Sequence, residues 1–190
     1  MAKRHDGVRV LIPQEAIEAR IGELAAAIDQ DFATSERLIC VGVLKGSVFF
    51  LVDLLKHLKV PAEIDFFQTS SYGSGTSPGE VRIKKDIDLS IRNKDVLLIE
   101  DIVDSGYTLR TILDLFRFRG ARSVRLCALL DKREARKVEV PIDYCGFVID
   151  NLFVVGYGLD FDERYRNLPY VGVYEGSGKD PEEDPGKDPA

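Results

Sequence analysis

Ile17, Ile21, Leu24 and Ile28 recur at the spacing of one helical face, so residues 14–31 are predicted to form a single amphipathic helix. The run from Leu38 to Leu44 has another pattern: short, apolar and rich in branched side chains, as a strand covered on both faces requires. It ends at Lys45-Gly46-Ser47, after which Val48, Leu51, Val52 and Leu55 mark a second helix. Ala62 to Thr69 reads as a strand, and Val81 to Lys85 as the returning arm of the loop beyond it. Asp95 to Ile99 has the apolar core of a buried strand. Leu109, Ile112, Leu113 and Phe116 then define a helix that closes at Gly120, a residue suited to a helix C-terminus. Val124 to Leu130, Tyr144 to Val148 and Phe153 to Tyr157 read as further strands. The alternation of strands and helices predicts an α/β fold, a mainly parallel central sheet flanked by helices.

Two stretches break the pattern. Ser70 to Gly79 reads Ser-Ser-Tyr-Gly-Ser-Gly-Thr-Ser-Pro-Gly, too rich in glycine and serine to hold regular structure and long enough to move. From Gly176 onward Gly, Pro, Asp, Glu and Lys dominate and large apolar residues are absent. This shift divides the chain into one domain over 1–176 and an acidic tail over 177–190 that is expected to be disordered.

Composition narrows the function classes. With 190 residues, 45% of them hydrophobic, a single core forms without disulfides or a structural metal. Cys40, Cys127 and Cys145 are scattered, which points to reduced thiols in a cytoplasmic protein. His5 and His57 have no ligand-spaced partner, so a zinc hydrolase or a histidine triad is disfavoured. The net charge of −6 offers no general attraction to nucleic acid. No segment approaches the roughly 18 apolar residues of a membrane span, and the first residues do not resemble a signal peptide.

The chemistry concentrates in Val96-Leu97-Leu98-Ile99-Glu100-Asp101-Ile102-Val103-Asp104-Ser105-Gly106-Tyr107-Thr108-Leu109. An apolar strand ends in two carboxylates, passes through a short turn and enters a helix. The turn from Asp104 to Thr108 brings two hydroxyls and free backbone N–H groups to a helix N-terminus, a setting for a phosphate dianion. Glu100 and Asp101 are placed to accept hydrogen bonds from vicinal hydroxyls or to hold a metal. Capping of the helix by Asp104 and Ser105 is the simpler role for part of this string. A dinucleotide fold and a P-loop are excluded because neither glycine pattern is present.

The whole string resembles the phosphoribosyl-pyrophosphate signature of type I phosphoribosyltransferases, and four further segments resemble the hypoxanthine–guanine branch of that family. Leu44-Lys45-Gly46-Ser47 is similar to its pyrophosphate-binding loop, with Lys45 and Gly46 as contacts and a Leu44–Lys45 peptide that is often cis. Leu129-Leu130-Asp131-Lys132-Arg133 places the family's base-reading lysine at Lys132. A lysine only donates hydrogen bonds, which suits the O6 carbonyl of a 6-oxopurine. Phe153-Val154-Val155-Gly156-Tyr157-Gly158-Leu159-Asp160 resembles the purine-pocket strand: Phe153 stacks on the base, Val154 reads its edge, and backbone near Asp160 meets position 2. Asp160 also serves as a magnesium ligand, and Arg166 matches a pyrophosphate-binding arginine. Ser71 and Tyr72 match a mobile lid.

The resemblance implies the type I fold, with a small hood built from terminal segments, and transfer of the phosphoribosyl group to N9 of hypoxanthine or guanine. It implies phosphoribosyl pyrophosphate and a 6-oxopurine base as partners, Mg2+ as cofactor, and a homodimer or homotetramer. Asp104 becomes the candidate general base. Glu100, Asp101, Asp104, Ser105, Gly106, Tyr107 and Thr108 bind the phosphoribosyl group, with Glu100 and Asp101 joining Asp160 near the metal. A xanthine- or guanine-preferring enzyme and a nucleotide-sensing regulator of the same fold are the alternatives. The acidic net charge and the complete catalytic set speak against the regulator.

Overall fold

The structure, a computed structural model, describes residues 7–71 and 81–176. The expectations for Tyr72 with the rest of the glycine-rich segment, and for the tail 177–190, lie outside the described residues. The elements run β1 (Val8–Ile12), α1 (Gln14–Asp31), β2 (Leu38–Val43), α2 (Val48–His57), β3 (Ala62–Ser71), β4 (Val81–Lys85) and β5 (Asp95–Val103). They continue through α3 (Tyr107–Phe118), β6 (Ser123–Asp131), a 3₁₀ turn (Arg133–Ala135), β7 (Tyr144–Val148), β8 (Val154–Val155) and β9 (Val171–Tyr174).

The main sheet has the order β4-β3-β2-β5-β6-β7, parallel except for the antiparallel edge strand β4. Alternation of side chains along each strand divides the core in two. Leu38 and Cys40 of β2 and Leu97 and Ile99 of β5 pack with Ile17, Ile21 and Ile28 of α1 and Leu51 and Leu54 of α2. Their neighbours Ile39, Val41, Val96 and Leu98 pack on the opposite face with Leu109, Ile112, Leu113 and Phe116 of α3. Every residue of β2 is buried, which is why its sequence is one apolar run rather than an alternating one. The second sheet, β1-β9-β8, joins segments from near the two ends of the chain and forms the expected hood.

Connections leave β2 toward β3 and leave β5 toward β6 and β7, so chain direction across the sheet reverses between β2 and β5. In open α/β sheets the crevice at such a reversal, beyond the carboxyl ends of the strands, is where ligands bind.

Three boundaries differ from the sequence reading. The strand beginning at Asp95 continues through Glu100 and Asp101 to Val103, because β6 pairs with it as far as Asp131. Ser70 and Ser71 belong to β3, held by antiparallel pairing with Arg82 and Val81. The strand expected over Phe153–Tyr157 shrinks to Val154–Val155, since Gly156, Tyr157 and Gly158 all have positive φ, which a pleated strand does not accommodate. The strands β1 and β9 escaped the sequence reading as named elements; both are short, and β1 pairs with β9 across the length of the chain while β9 pairs on its other side with the two-residue β8.

At the amino end of β5, buried Asp95 accepts hydrogen bonds from Ser35 Oγ, the Arg122 guanidinium and Ser123 Oγ, the last at 2.7 Å. The Arg122 guanidinium, with the two hydroxyls, holds the carboxyl well below the usual carboxylate range. A depressed acid stabilises the fold fully above its unfolded value, about pH 4, and loses that contribution as pH falls from there. Asp95→Asn is expected to cost about 2 kcal/mol at pH 7, in line with charged hydrogen bonds. Urea unfolding should show the gap from wild type narrowing below about pH 4.

Candidate active site

The carboxyl edges of β2 and β5 face each other across the reversal point. A cleft of about 250 Å³ opens there, lined by Val43, Leu44, Thr69, Glu100, Ile102, Asp104, Ser105, Gly106, Thr108 and Leu109. Its floor is the start of α3. Gly106 has φ +89, and a Cβ there would come within 2.5 Å of the Val138 carbonyl oxygen, so only glycine makes this turn. Among the described residues, the N–H groups of Ser105, Gly106, Tyr107 and Thr108 meet no backbone acceptor. These donors sit at the positive end of the α3 dipole, an arrangement complementary to a phosphate. Tyr107 itself is exposed on the first turn and is absent from the cleft wall.

Glu100 and Asp101 are neighbours on β5 and therefore point in opposite directions. Glu100 lines the cleft, and its Oε2 is buried without a hydrogen-bond partner. Burial, with the Asp101 charge beside it, pushes its carboxyl well above the ordinary value. Asp101 turns toward the loop after β2. A Cβ on Gly46 would fall 1.6 Å from Asp101 Oδ2, so the carboxylate occupies the space that any other residue at 46 would need. Burial raises Asp101 to about 6, against the hydrogen bond from the Ile102 N–H at 2.8 Å and the charge of Arg166. Both acids are partly buried at the strand end, Asp101 with Arg166 and Asp160 nearby, and a diol or a cation would favour the charged form.

The Leu44–Lys45 peptide, which the sequence left open, is cis. The loop rests on the segment after β8: a Cβ on Gly158 would come within 1.9 Å of the Gly46 carbonyl oxygen. Arg166 donates to the Gly158 carbonyl at 2.8 Å and pairs with Asp160 at 2.9 Å, while its Nε is buried without a partner. Lys45, Gly46, Asp101, Gly158, Asp160 and Arg166 thus form one continuous group from three distant parts of the chain.

Lys132 follows β6 directly; its N–H donates to the carbonyl of Val103, the residue before Asp104, and the residue is buried. Phe153 lies in the hood, half-buried, edge-on to Phe161 and Tyr174 at centroid distances of 5.6 and 6.2 Å. Val154 is buried in β8. Lys132, Phe153, Val154, Asp160 and Arg166 are not among the residues that line this cleft. Ser71 ends β3, and Tyr72 is beyond the described residues.

Sequence reasoning missed three participants. Thr69 reaches the cleft from the carboxyl end of β3. Arg136 pairs with Asp131 and donates from Nε to the Asp104 carbonyl at 3.2 Å, bracing the turn that carries Asp104. Glu163 bridges Lys45 and Arg166. The place of Thr69 at a strand's carboxyl end was an available signal; the other two depend on contacts that no local pattern encodes.

The phosphoribosyl transferase domain family matches residues 11–162. The hypoxanthine-guanine phosphoribosyltransferase of Bacillus subtilis is 48% identical over 171 residues, 90% of this chain and 94% of that protein. A crystal structure of a hypoxanthine-guanine phosphoribosyltransferase from Bacillus anthracis superposes with a TM-score of 0.83 at 43% identity, covering 87% of this chain and 97% of that one. The hypoxanthine phosphoribosyltransferase of Trypanosoma cruzi in complex with its product IMP gives a TM-score of 0.86 at 38% identity, covering 90% and 97%.

Proposed function

The chain belongs to the phosphoribosyl transferase domain family, and from that membership we propose that it is an enzyme of purine salvage. It transfers the 5-phosphoribosyl group from phosphoribosyl pyrophosphate to N9 of hypoxanthine, and of guanine, giving IMP or GMP and pyrophosphate. The observation that carries this reading is the cleft at the β2–β5 reversal, where a buried, unpartnered carboxylate faces free helix N-terminal N–H groups. A sugar diol and a 5′-phosphate need those two features together. Steady-state nucleotide formation with hypoxanthine, guanine, xanthine and adenine tests it and ranks the bases.

The N–H groups of 105–108 and the Thr108 hydroxyl hold the 5′-phosphate, so binding energy away from the reacting carbon orients C1′. Glu100 and Asp101 accept from the ribose hydroxyls. The base enters between Lys132, whose ammonium donates to O6, and Phe153 and Val154 of the hood. Asp104, on the exposed rim beside Lys132, takes or shares the proton at purine N7 as N9 attacks. Negative charge grows on departing pyrophosphate, where Lys45, the Gly46 backbone and Arg166 converge.

Magnesium fits the donor chemistry: hard carboxylate oxygens, one of them buried and unpartnered on Glu100. Among the described residues no three ligand side chains gather into a cage, and this ion characteristically takes one or two carboxylates with substrate phosphates and water. Asp160 and Asp101 would hold it on the pyrophosphate side and Glu100 on the ribose side. Bound there, it neutralises charge on the leaving group. Exhaustive chelation is accordingly expected to abolish turnover and added magnesium to restore it, read as pyrophosphate release. Full activity after chelation would remove the metal from the mechanism.

Buried free Cys40 and Cys127 support a reducing, cytoplasmic setting, and among the described residues no helix is long and apolar enough to cross a membrane. Phe49 and Val52 on α2 and Ile64 on β3 are exposed apolar surface that a homo-oligomer would cover.

A further inference from the structure

Glu163 sits in the turn after Asp160 with left-handed backbone, φ +59. Its N–H donates to Asp160 Oδ2 at 2.9 Å, so one turn places both carboxylates. The Glu163 side chain then spans two cations: Oε1 lies 2.8 Å from Lys45 Nζ, and Oε2 lies 3.1 Å from Arg166 Nη2. These are the two side-chain cations that the proposed function assigns to pyrophosphate. A carboxylate spanning both occupies the donors that the oxygens of a pyrophosphate would use.

We propose that Glu163 is an internal counter-anion that competes with pyrophosphate for Lys45 and Arg166, and that by reclaiming both cations it speeds departure of the product. The proposal rests on the reading of Lys45 and Arg166 as the pyrophosphate cations. The pairing is suited to exchange rather than to permanent structure. The side chains of Glu163 and Lys45 are 63% and 55% exposed, and ion pairs this open are weak enough for a multiply charged ligand to displace. Arg166 does not depend on Glu163 for its position, because Asp160 and the Gly158 carbonyl hold it independently. Lys45 is likewise carried by a loop whose backbone packs on Gly158. Loss of the Glu163 charge therefore frees both donors without dispersing them. Glu163 acts through two other side chains and touches no reacting atom.

The test is calorimetric titration of the full chain with inorganic pyrophosphate in the presence of magnesium. Glu163→Gln keeps the size of the side chain and the backbone turn while removing the charge. It is expected to bind pyrophosphate about 3–10-fold tighter, the sum of two exposed pairs. In rapid-quench turnover, its release step should slow by a similar factor. Glu163→Asp, one methylene too short to span both cations, should fall between it and wild type. Asp162→Asn removes the same charge one residue away, from a side chain whose ion pair among the described residues is with Arg164 at 3.9 Å, and should leave the affinity near that of wild type. Equal or weaker binding by Glu163→Gln, or an equal gain in Asp162→Asn, overturns the proposal. A wild-type enzyme that forms nucleotide but binds no magnesium pyrophosphate would overturn the assignment of Lys45 and Arg166 instead, so the two failures are distinct.

Discussion

Asp104→Asn is expected to lower kcat by about 10²–10⁴, with a much smaller change in KM for phosphoribosyl pyrophosphate, the range that a positioned general base contributes. The substitution is nearly isosteric, and the turn it sits in is held by groups it does not alter. The Asp104 carbonyl accepts from Arg136, and the Ser105 carbonyl accepts from the N–H groups of Lys137 and Val138, both at 3.0 Å. The phosphate donors of residues 105–108 remain in place, so donor binding persists while the proton acceptor is lost. Neighbouring acids do not substitute for it. Asp101 is turned against Gly46, and Glu100 is buried with its carboxyl held well above the ordinary range. Steady-state and single-turnover kinetics with hypoxanthine check this outcome. A variant retaining near-full kcat would show that Asp104 only shapes the loop.

Base selection supplies the second large effect. Lys132 is buried and its N–H donates to the Val103 carbonyl, and the proposed function sets its ammonium against position 6 of the base. An ammonium donates only. Opposite O6 it completes a hydrogen bond; opposite the amino group of adenine it leaves two donors facing each other, both stripped of water. Sites built to bond a polar substituent reject its mismatched analogue by roughly 10⁴. The ratio of kcat/KM for hypoxanthine over adenine is expected to reach that order. Lys132→Gln, whose amide presents either a donor or an acceptor, should compress the ratio by at least about tenfold, chiefly through loss on hypoxanthine. Comparable kcat/KM for the two bases in wild type would transfer the reading of position 6 to another group.

Much of this architecture was written locally. The spacing of Ile17, Ile21, Leu24 and Ile28 determines a helix from Gln14 to Asp31 because helical periodicity is a property of neighbouring residues. The unbroken apolar run of β2 determines burial on both faces, and with it a mainly parallel sheet between helices. The strand–turn–helix of residues 96–109 was likewise legible, since strand, turn and first helical turn are contiguous. Boundaries were less secure where pairing partners are remote. Val103 belongs to β5 because Asp131 lies beside it, and Ser71 belongs to β3 because Val81 does.

Tertiary structure alone decided the electrostatic state and composition of the site. Nothing within residues 96–104 distinguishes a solvated pair of acids from a buried one. The covering of Glu100 and Asp101 comes from packed neighbours outside that stretch, among them Gly46, and burial raises both carboxyls by removing water from the charged form. The same holds for the contact of Gly46 with Gly158, the bracing of Asp104 by Arg136 and the bridge from Glu163 to Lys45. Each joins segments tens of residues apart or more. Periodicity and local motifs describe what a residue does with its neighbours in sequence, whereas charge, burial and competition for a cation depend on which surfaces the folded chain brings within a few ångströms.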